Sequence, residues 1–326
     1  MIINPSLRST IHQYADVLSE NQHNADDLNR SFYKKARFVD GLPATKAQPS
    51  LYQGNPYFRL LNGLRGRIED CELKEGFYHK GELFLFNETY GDPGSQYREV
   101  NPLGYFVEGF SYPKLDEQGA TWMSLIPHEI NTMAPSIGKA VGKVLTMGLG
   151  LGYYAFMASE KTGVESVDVI ENDPKVIALF TKHLLPLFPH PEKIKIIPTD
   201  AIEFARLPPH DYDYAFVDLY RTEEDGLPLY LALKPLEINL VKPSGTVSFW
   251  IERTLTASLR RYLIALLDEE MGGTTDRDYR ANEDFSDLIF AKIHFLLKQK
   301  RLETPDDVQS LLGDESLIGI ASKLLR

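Results

Sequence analysis

The sequence predicts an α/β protein organised around a doubly wound, mainly parallel sheet with helices on both faces, preceded by a helical segment and a small β-rich domain. Three observations carry that expectation. From Lys143 to Glu270, short apolar runs of strand length alternate with longer stretches of helical spacing, which is how a parallel sheet covered on both sides is written. The first run, Val144 to Met147, breaks into glycines at alternating positions, Gly148, Gly150 and Gly152, so the chain turns sharply with no Cβ in the way before a helix starts at Tyr153. Three carboxylates, Glu171, Asp200 and Asp218, fall at or just after the ends of the following runs, where open sheets of this kind hold their ligands.

The elements follow in chain order. Residues 1–70 read as a helical segment: Ser6 to Glu20 places Ile11, Tyr14, Val17 and Leu18 on one stripe, Asp26 to Arg37 is a second helix, Gly41 to Pro56 is a loop, and Pro56 opens a helix through Phe58, Leu61, Leu64 and Ile68. This segment suits a packing appendage or the arm of a homodimer. Residues 71–138 read as a small β-rich lid with strands at Leu83 to Phe86, Gly104 to Phe110 and Thr121 to Ile126, closed by a helix from Pro127 to Ile137. Its dense aromatics, and Trp122, are expected in the core.

Residues 139–271 form the Rossmann-like unit, with strands at 143–147, 166–170, 194–198, 213–218 and 245–251 and helices at 152–161, 174–185, 200–206, 229–240 and 256–270. Residues 272–326 read as a polar loop, Gly272 to Asp287, followed by helices, one of them starting at Thr304-Pro305-Asp306-Asp307.

Composition narrows the partners. A formal charge of -11 over 326 residues argues against broad contact with nucleic acid or an anionic membrane, and favours a small or cationic partner. One cysteine, Cys71, allows neither an intramolecular disulfide nor a cysteine metal cluster, and the eight histidines show no metal-ligand spacing. The first twenty residues lack the apolar core of a signal peptide, so a cytoplasmic protein is expected.

The glycine turn and Glu171 together describe a nucleotide site. A carboxylate closing the second strand, about twenty residues beyond the turn, suits a neutral ribose diol and repels a phosphate. The spacing G-x-G-x-G followed by Tyr153 and Tyr154 departs from the dinucleotide pattern G-x-G-x-x-G, which favours a ligand with no pyrophosphate. S-adenosylmethionine fits, having an adenosine and an amino-acid tail but no phosphate.

Read as a set, Val144 to Gly152, Val169 to Ile177, Thr199-Asp200-Ala201 and Tyr212 to Asp218 resemble the spermidine synthase-like branch of class I S-adenosylmethionine-dependent methyltransferases, over roughly Ile126 to Ile251. The resemblance implies that Gly148, Leu149, Gly150 and Gly152 line the methionine part, that Glu171 with Asn172 holds the ribose, that Asp200 and Ala201 read the adenine edge, and that Asp218 sits beside the sulfonium. Asp200 also satisfies the position of a helix N-cap. Asp218 or His128 is the candidate base, and Tyr220 with Arg221 stands where an acceptor would be oriented or where a solvated loop would run.

Three departures turn the expectation away from aminopropyl transfer. Where that branch places an acidic residue inside the glycine turn, this chain has Leu151; where it places a second acidic residue after the fourth strand, this chain has Arg221; and Pro127-His128 stands for a Tyr-Gln pair. The expectation is therefore an S-adenosylmethionine-dependent methyltransferase acting on a small-molecule acceptor. A polyamine aminopropyltransferase using the decarboxylated cofactor and a non-catalytic nucleotide-binding protein are the alternatives.

Overall fold

The computed structural model describes residues 1–20, 44–207, 209–274 and 283–325. Five strands form its central sheet: β1 (Gly142–Met147), β2 (Val164–Glu171), β3 (Ile194–Pro198), β4 (Tyr212–Val217) and β5 (Val241–Phe249). They lie in the order β3-β2-β1-β4-β5, and every pairing is parallel, with Val144 opposite Val167 on one side and Tyr214 on the other. Val144, Leu145, Met147, Val167, Val169, Ala215 and Val217 are fully buried. Strands covered on both faces need no polar alternation, which is why these runs stood out in the sequence as continuous apolar stretches.

The chain leaves β1 towards β2 and β3, then crosses back to β4 and β5. That reversal opens a crevice beyond the carboxyl ends of β1 and β4. Helices α1 (Pro127–Lys139), α2 (Tyr153–Ser159), α3 (Pro174–Leu179), α4 (Ala201–Arg206), α5 (Glu223–Leu233) and α6 (Glu252–Glu270) accompany the strands.

Several boundaries differ from the sequence expectation for local reasons. The helix expected over 174–185 is helical only to Leu179 and continues as a wider turn over Phe180–Leu184 and a 3-10 turn over Leu185–Leu187. Helix α5 starts at Glu223 instead of 229 because Thr222 and Asp225 form a reciprocal capping box. The helix opened by Pro56 stops at Leu61, since Gly63 takes a left-handed turn (φ 75°) and Gly66 begins a strand, Gly66–Ile68. The expected loop over Gly41 to Pro56 contains, from residue 44 on, a strand, Ala44–Ala47, and a helix, Pro49–Gln53.

The β-rich segment is more regular than its sequence suggested. Gly66–Ile68, Cys71–Tyr78, Phe110–Glu117 and Ala120–Ser124 form one antiparallel sheet, while Ala44–Ala47, Leu103–Phe106 and Leu83–Leu85 form another that includes one parallel pairing. Of the aromatics expected in the core, Phe84, Tyr97, Phe106 and Phe110 are buried and Phe86, Tyr90, Tyr105 and Tyr112 are half-buried; Phe106 stacks on Phe110 with ring centroids 4.4 Å apart, and Tyr52 meets both edge-on.

At the chain ends, residues 8–20 are helical and bury Ile11, Tyr14, Val17 and Leu18. Helices Glu283–Leu297, Pro305–Leu311 and Asp314–Leu324 follow the sheet, the second opened by the expected Thr304 cap with Asp307 as its reciprocal partner. Ile2–Ile3 pairs in parallel with Arg301–Leu302, tying the two ends together. The helix expected over Asp26 to Arg37 and the middle of the loop expected over Gly272 to Asp287 lie outside the described residues. No helix among the described residues is long and apolar enough to cross a membrane.

Candidate active site at the switch point

A cavity of about 760 Å³ opens at the crevice between β1 and β4, large enough for a nucleoside-sized ligand together with a second small molecule. It is lined by Gly148, Leu149, Gly150, Glu171, Asn172, Asp200, Ala201, Asp218, Tyr220 and His128, so the structure brings all of the expected site residues except Gly152 to one place.

The glycine turn is held from both sides. Gly148 (φ 97°), Gly150 (φ 46°) and Gly152 (φ 78°) adopt backbone conformations that side chains disfavour. A Cβ at Gly148 would collide with the Asp218 carbonyl oxygen, one at Gly150 with the Met123 sulfur, and one at Gly152 with the Phe180 ring. The glycines are thus required first by protein packing against β4, the β-rich sheet and the turn after α3. Tyr153 and Tyr154 are buried core residues: the Tyr154 ring stacks on Phe216 at 4.2 Å, and the Tyr153 hydroxyl accepts a hydrogen bond from Asn55.

Glu171 closes β2 and organises the turn beside it. Its Oε2 accepts from the Leu149 amide at 3.1 Å, and its Oε1 accepts from the amides of Asn172 at 2.8 Å and Asp173 at 2.9 Å. Fixed by three backbone donors, the carboxylate faces the cavity with acceptor capacity to spare, the disposition a ribose diol needs. Asp200 is the N-cap of α4, with Oδ1 accepting from the Ile202 and Glu203 amides at 2.8 and 2.9 Å, and it lines the cavity as well. The N-cap expected from sequence is thus present, and the same side chain borders the cavity.

Two further carboxyl groups line the cavity beside the turn. Asp218 follows β4, its amide donating to the Met147 carbonyl at 2.8 Å, and burial pushes its carboxyl pKa up to about 8. Glu129, on the first turn of α1, is raised well above the ordinary carboxylate range, first by burial and then by the neighbouring Asp218 charge. Its Oε2 is buried with no protein partner. Two such groups in one desolvated site cannot both ionise readily, so near neutral pH the pair retains protons.

Other residues behave differently from their sequence reading. His128 is buried, its ring 5.8 Å from that of Trp250, and desolvation lowers its pKa to about 4, well below the working range in which a histidine base is most effective. Tyr220 donates its hydroxyl to the Trp250 carbonyl at 2.5 Å, so its ring walls the cavity while its polar end is committed to the scaffold. Trp122, expected in the core, is 40% exposed and lines the cavity beneath the Arg221 guanidinium, which sits 4.9 Å from its ring centroid.

Sequence reasoning missed several lining residues. Ile251 holds an unusual positive φ of 44° for a β-branched residue, and with Trp250 it forms the wall after β5. Arg261 on α6 is clamped between Glu99, which it meets through two contacts at 2.6 and 2.9 Å, and Glu223 at 2.8 Å. No linear motif announces this triad, because Arg261 stands 38 residues from Glu223 and 162 from Glu99. Six carboxyl side chains, Glu99, Glu129, Glu171, Asp200, Asp218 and Glu223, therefore line one cavity against two arginines.

No protein-family model matches the chain, and no curated protein does. Among solved structures it is similar to spermidine synthase from Thermotoga maritima, with 14% identity, 61% of each chain covered and a TM-score of 0.36. It is also similar to a spermidine synthase in complex with the transition state analogue AdoDATO, at 16% identity, 61% of each chain and a TM-score of 0.35. A third is a precorrin 8W decarboxylase from Methanobacterium thermoautotrophicum, at 20% identity, 37% of this chain, 61% of that one and a TM-score of 0.28. The matched part spans less than two thirds of the length of each of these proteins. The doubly wound fold stands on the strand order and the parallel pairings themselves.

Proposed function

We propose that this protein is a transferase that moves a methyl group from S-adenosylmethionine to a small acceptor carrying an amine. The observation that carries the reading is that Glu171, Asp218 and Glu129 line one cavity with the glycine turn, Glu171 accepting from the Leu149 amide and the Asp218 backbone packed behind Gly148. The residues present fit the donor. Glu171 accepts from the ribose hydroxyls, Asp200 offers its Oδ2 to the adenine amino group, and the orphaned Glu129 Oε2 with Asp218 provides negative charge where the donor carries positive.

When bound, the donor supplies a sulfonium-activated methyl carbon. The chain's own contribution is to align the acceptor and to take its proton. Trp122, Tyr220, Trp250 and Ile251 form an apolar wall that limits the acceptor's approach. Asp218 would take the proton of a neutral acceptor nitrogen whose lone pair engages the methyl carbon, and the excess of carboxyl over guanidinium groups lining the cavity suits an acceptor that carries a cationic group elsewhere.

Aminopropyl transfer is the second reading, favoured by the same carboxyl pair, which suits a donor with an amine tail and no carboxylate. Against it stand Leu151, buried at 1% exposure with its side chain outside the cavity lining, and Arg221. Calorimetric titration with S-adenosylmethionine and with its decarboxylated form tests the choice. Tighter binding of the intact donor, followed by methylated products from an amine panel, supports the first reading. Preference for the decarboxylated donor establishes the second, and binding of neither overturns both.

A further inference from the structure

We propose that Glu129 and Asp218 act as a charge-sensing pair, which loses one proton when a sulfonium occupies the site and regains it once the sulfur has become a neutral thioether. The inference rests on the donor assignment above and extends it to how the base is generated and how product is told from substrate.

The geometry supplies the argument. Asp218, Glu129 and Glu171 line the same cavity as the glycine turn, and the Asp218 backbone carbonyl packs directly behind Gly148, so a ligand held by Glu171 over the turn shares its cavity with both members of the pair. Glu129 reaches the same cavity from α1, and its Oε2 is buried without a protein partner. The groups facing the pair cannot supply a compensating cation. His128 is held neutral by burial; Tyr220 and Tyr78, which burial pushes to high pKa, stay protonated; Glu88, Glu252 and Asp225 act through Tyr220 as further negative charge. Arg221 pairs with Asp225 and Arg261 with Glu99 and Glu223, while Glu171 and Asp200 hold backbone amides.

Burial keeps both carboxyl groups protonated near neutral pH in the free protein, consistent with the raised values of Asp218 and Glu129. A sulfonium placed beside them favours the ionised form, so its arrival sends one proton to solvent and leaves a single carboxylate. A neutral amine acceptor then forms its nitrogen–carbon bond as the carbon–sulfur bond breaks with its electron pair staying on sulfur, and the nitrogen proton passes to that carboxylate. The site returns to its neutral state with a neutral thioether, which has lost its charge partner. The donor's own charge thereby arms the base, and the reaction disarms it.

The test is calorimetric binding of S-adenosylmethionine and S-adenosylhomocysteine at pH 7 in buffers of different ionisation heat, repeated from pH 6 to pH 9. The sulfonium lowers the ammonium pKa of its own amino-acid tail relative to that of the thioether, so each proton count is corrected for the separately measured titration of the free ligand. About one proton should be released with the sulfonium and none with the thioether, and the affinity ratio should rise with pH by up to about tenfold per unit before levelling above pH 8. Asp218→Asn should flatten the pH dependence of the ratio. Equal proton counts for the two ligands with a ratio independent of pH would overturn the sensor and leave the donor assignment standing, whereas binding of neither ligand would overturn both. The wild-type protein alone decides the matter if the variant fails to fold.

Discussion

The amide of Leu149 donates to the Glu171 carboxylate at 3.1 Å, so the glycine turn and the end of β2 are fastened to each other by a side chain that lines the cavity. Glu171 also accepts from Asn172 and Asp173, so one side chain shapes the turn and, in the proposed reading, also meets the ribose. Replacing it removes both. Glu171→Ala should weaken S-adenosylmethionine binding roughly 10- to 100-fold in a calorimetric titration, the worth of one or two hydrogen bonds to a charged group. Unchanged affinity would place the ligand elsewhere.

Gly148 is the turn residue with least tolerance. Its φ of 97° and the Asp218 carbonyl directly behind it leave no room for a methyl group. Gly148→Ala should cost roughly 2–5 kcal/mol of folding stability from backbone strain and overpacking, read as a lowered urea midpoint. Gly138, on α1 with nothing within reach of an added Cβ, is the control, and Gly138→Ala should be neutral or stabilising.

Asp218 sets an unusual pH dependence. Its carboxyl is raised by burial from 3.8 to about 8, so between those values the folded protein holds a proton that the unfolded chain has lost. Stability from this group is fully present below about pH 4 and is lost as pH rises to about 8, the reverse of a salt-bridged carboxylate. From pH 6 to pH 8 the loss is at most about 2.7 kcal/mol, and Asp218→Asn should remove that part of the decline in melting temperature. A melting temperature that rises over this interval, and does so equally in the variant, would show that Asp218 is ionised throughout.

Much of the central architecture was legible because buried parallel strands are apolar without interruption. Val144 to Met147 and Tyr212 to Val217 needed only their composition and the carboxylates that follow them. The start of α5 lies ahead of the expected 229, at a capping box of Thr222 with Asp225 that the periodicity of the apolar residues does not record. What periodicity does not encode is which residues of separate elements meet. Glu129 stands beside His128 in the sequence, but burial raises the one and lowers the other, and the Asp218 charge that also reaches Glu129 comes from a distant strand end that no local pattern records. Trp122 has a core composition but lies at the rim of a cavity that forms only when the β-rich sheet packs against the switch point, with Arg221 from the far side of β4 covering it.

A crystal structure with S-adenosylhomocysteine bound tests the central claim most directly. The account predicts the ribose hydroxyls within hydrogen-bond distance of Glu171, the adenine beside Asp200 and Ala201, and the sulfur facing Asp218 and Glu129. An adenosine bound away from β2, or a crevice that stays closed to the ligand while it binds elsewhere, would contradict it.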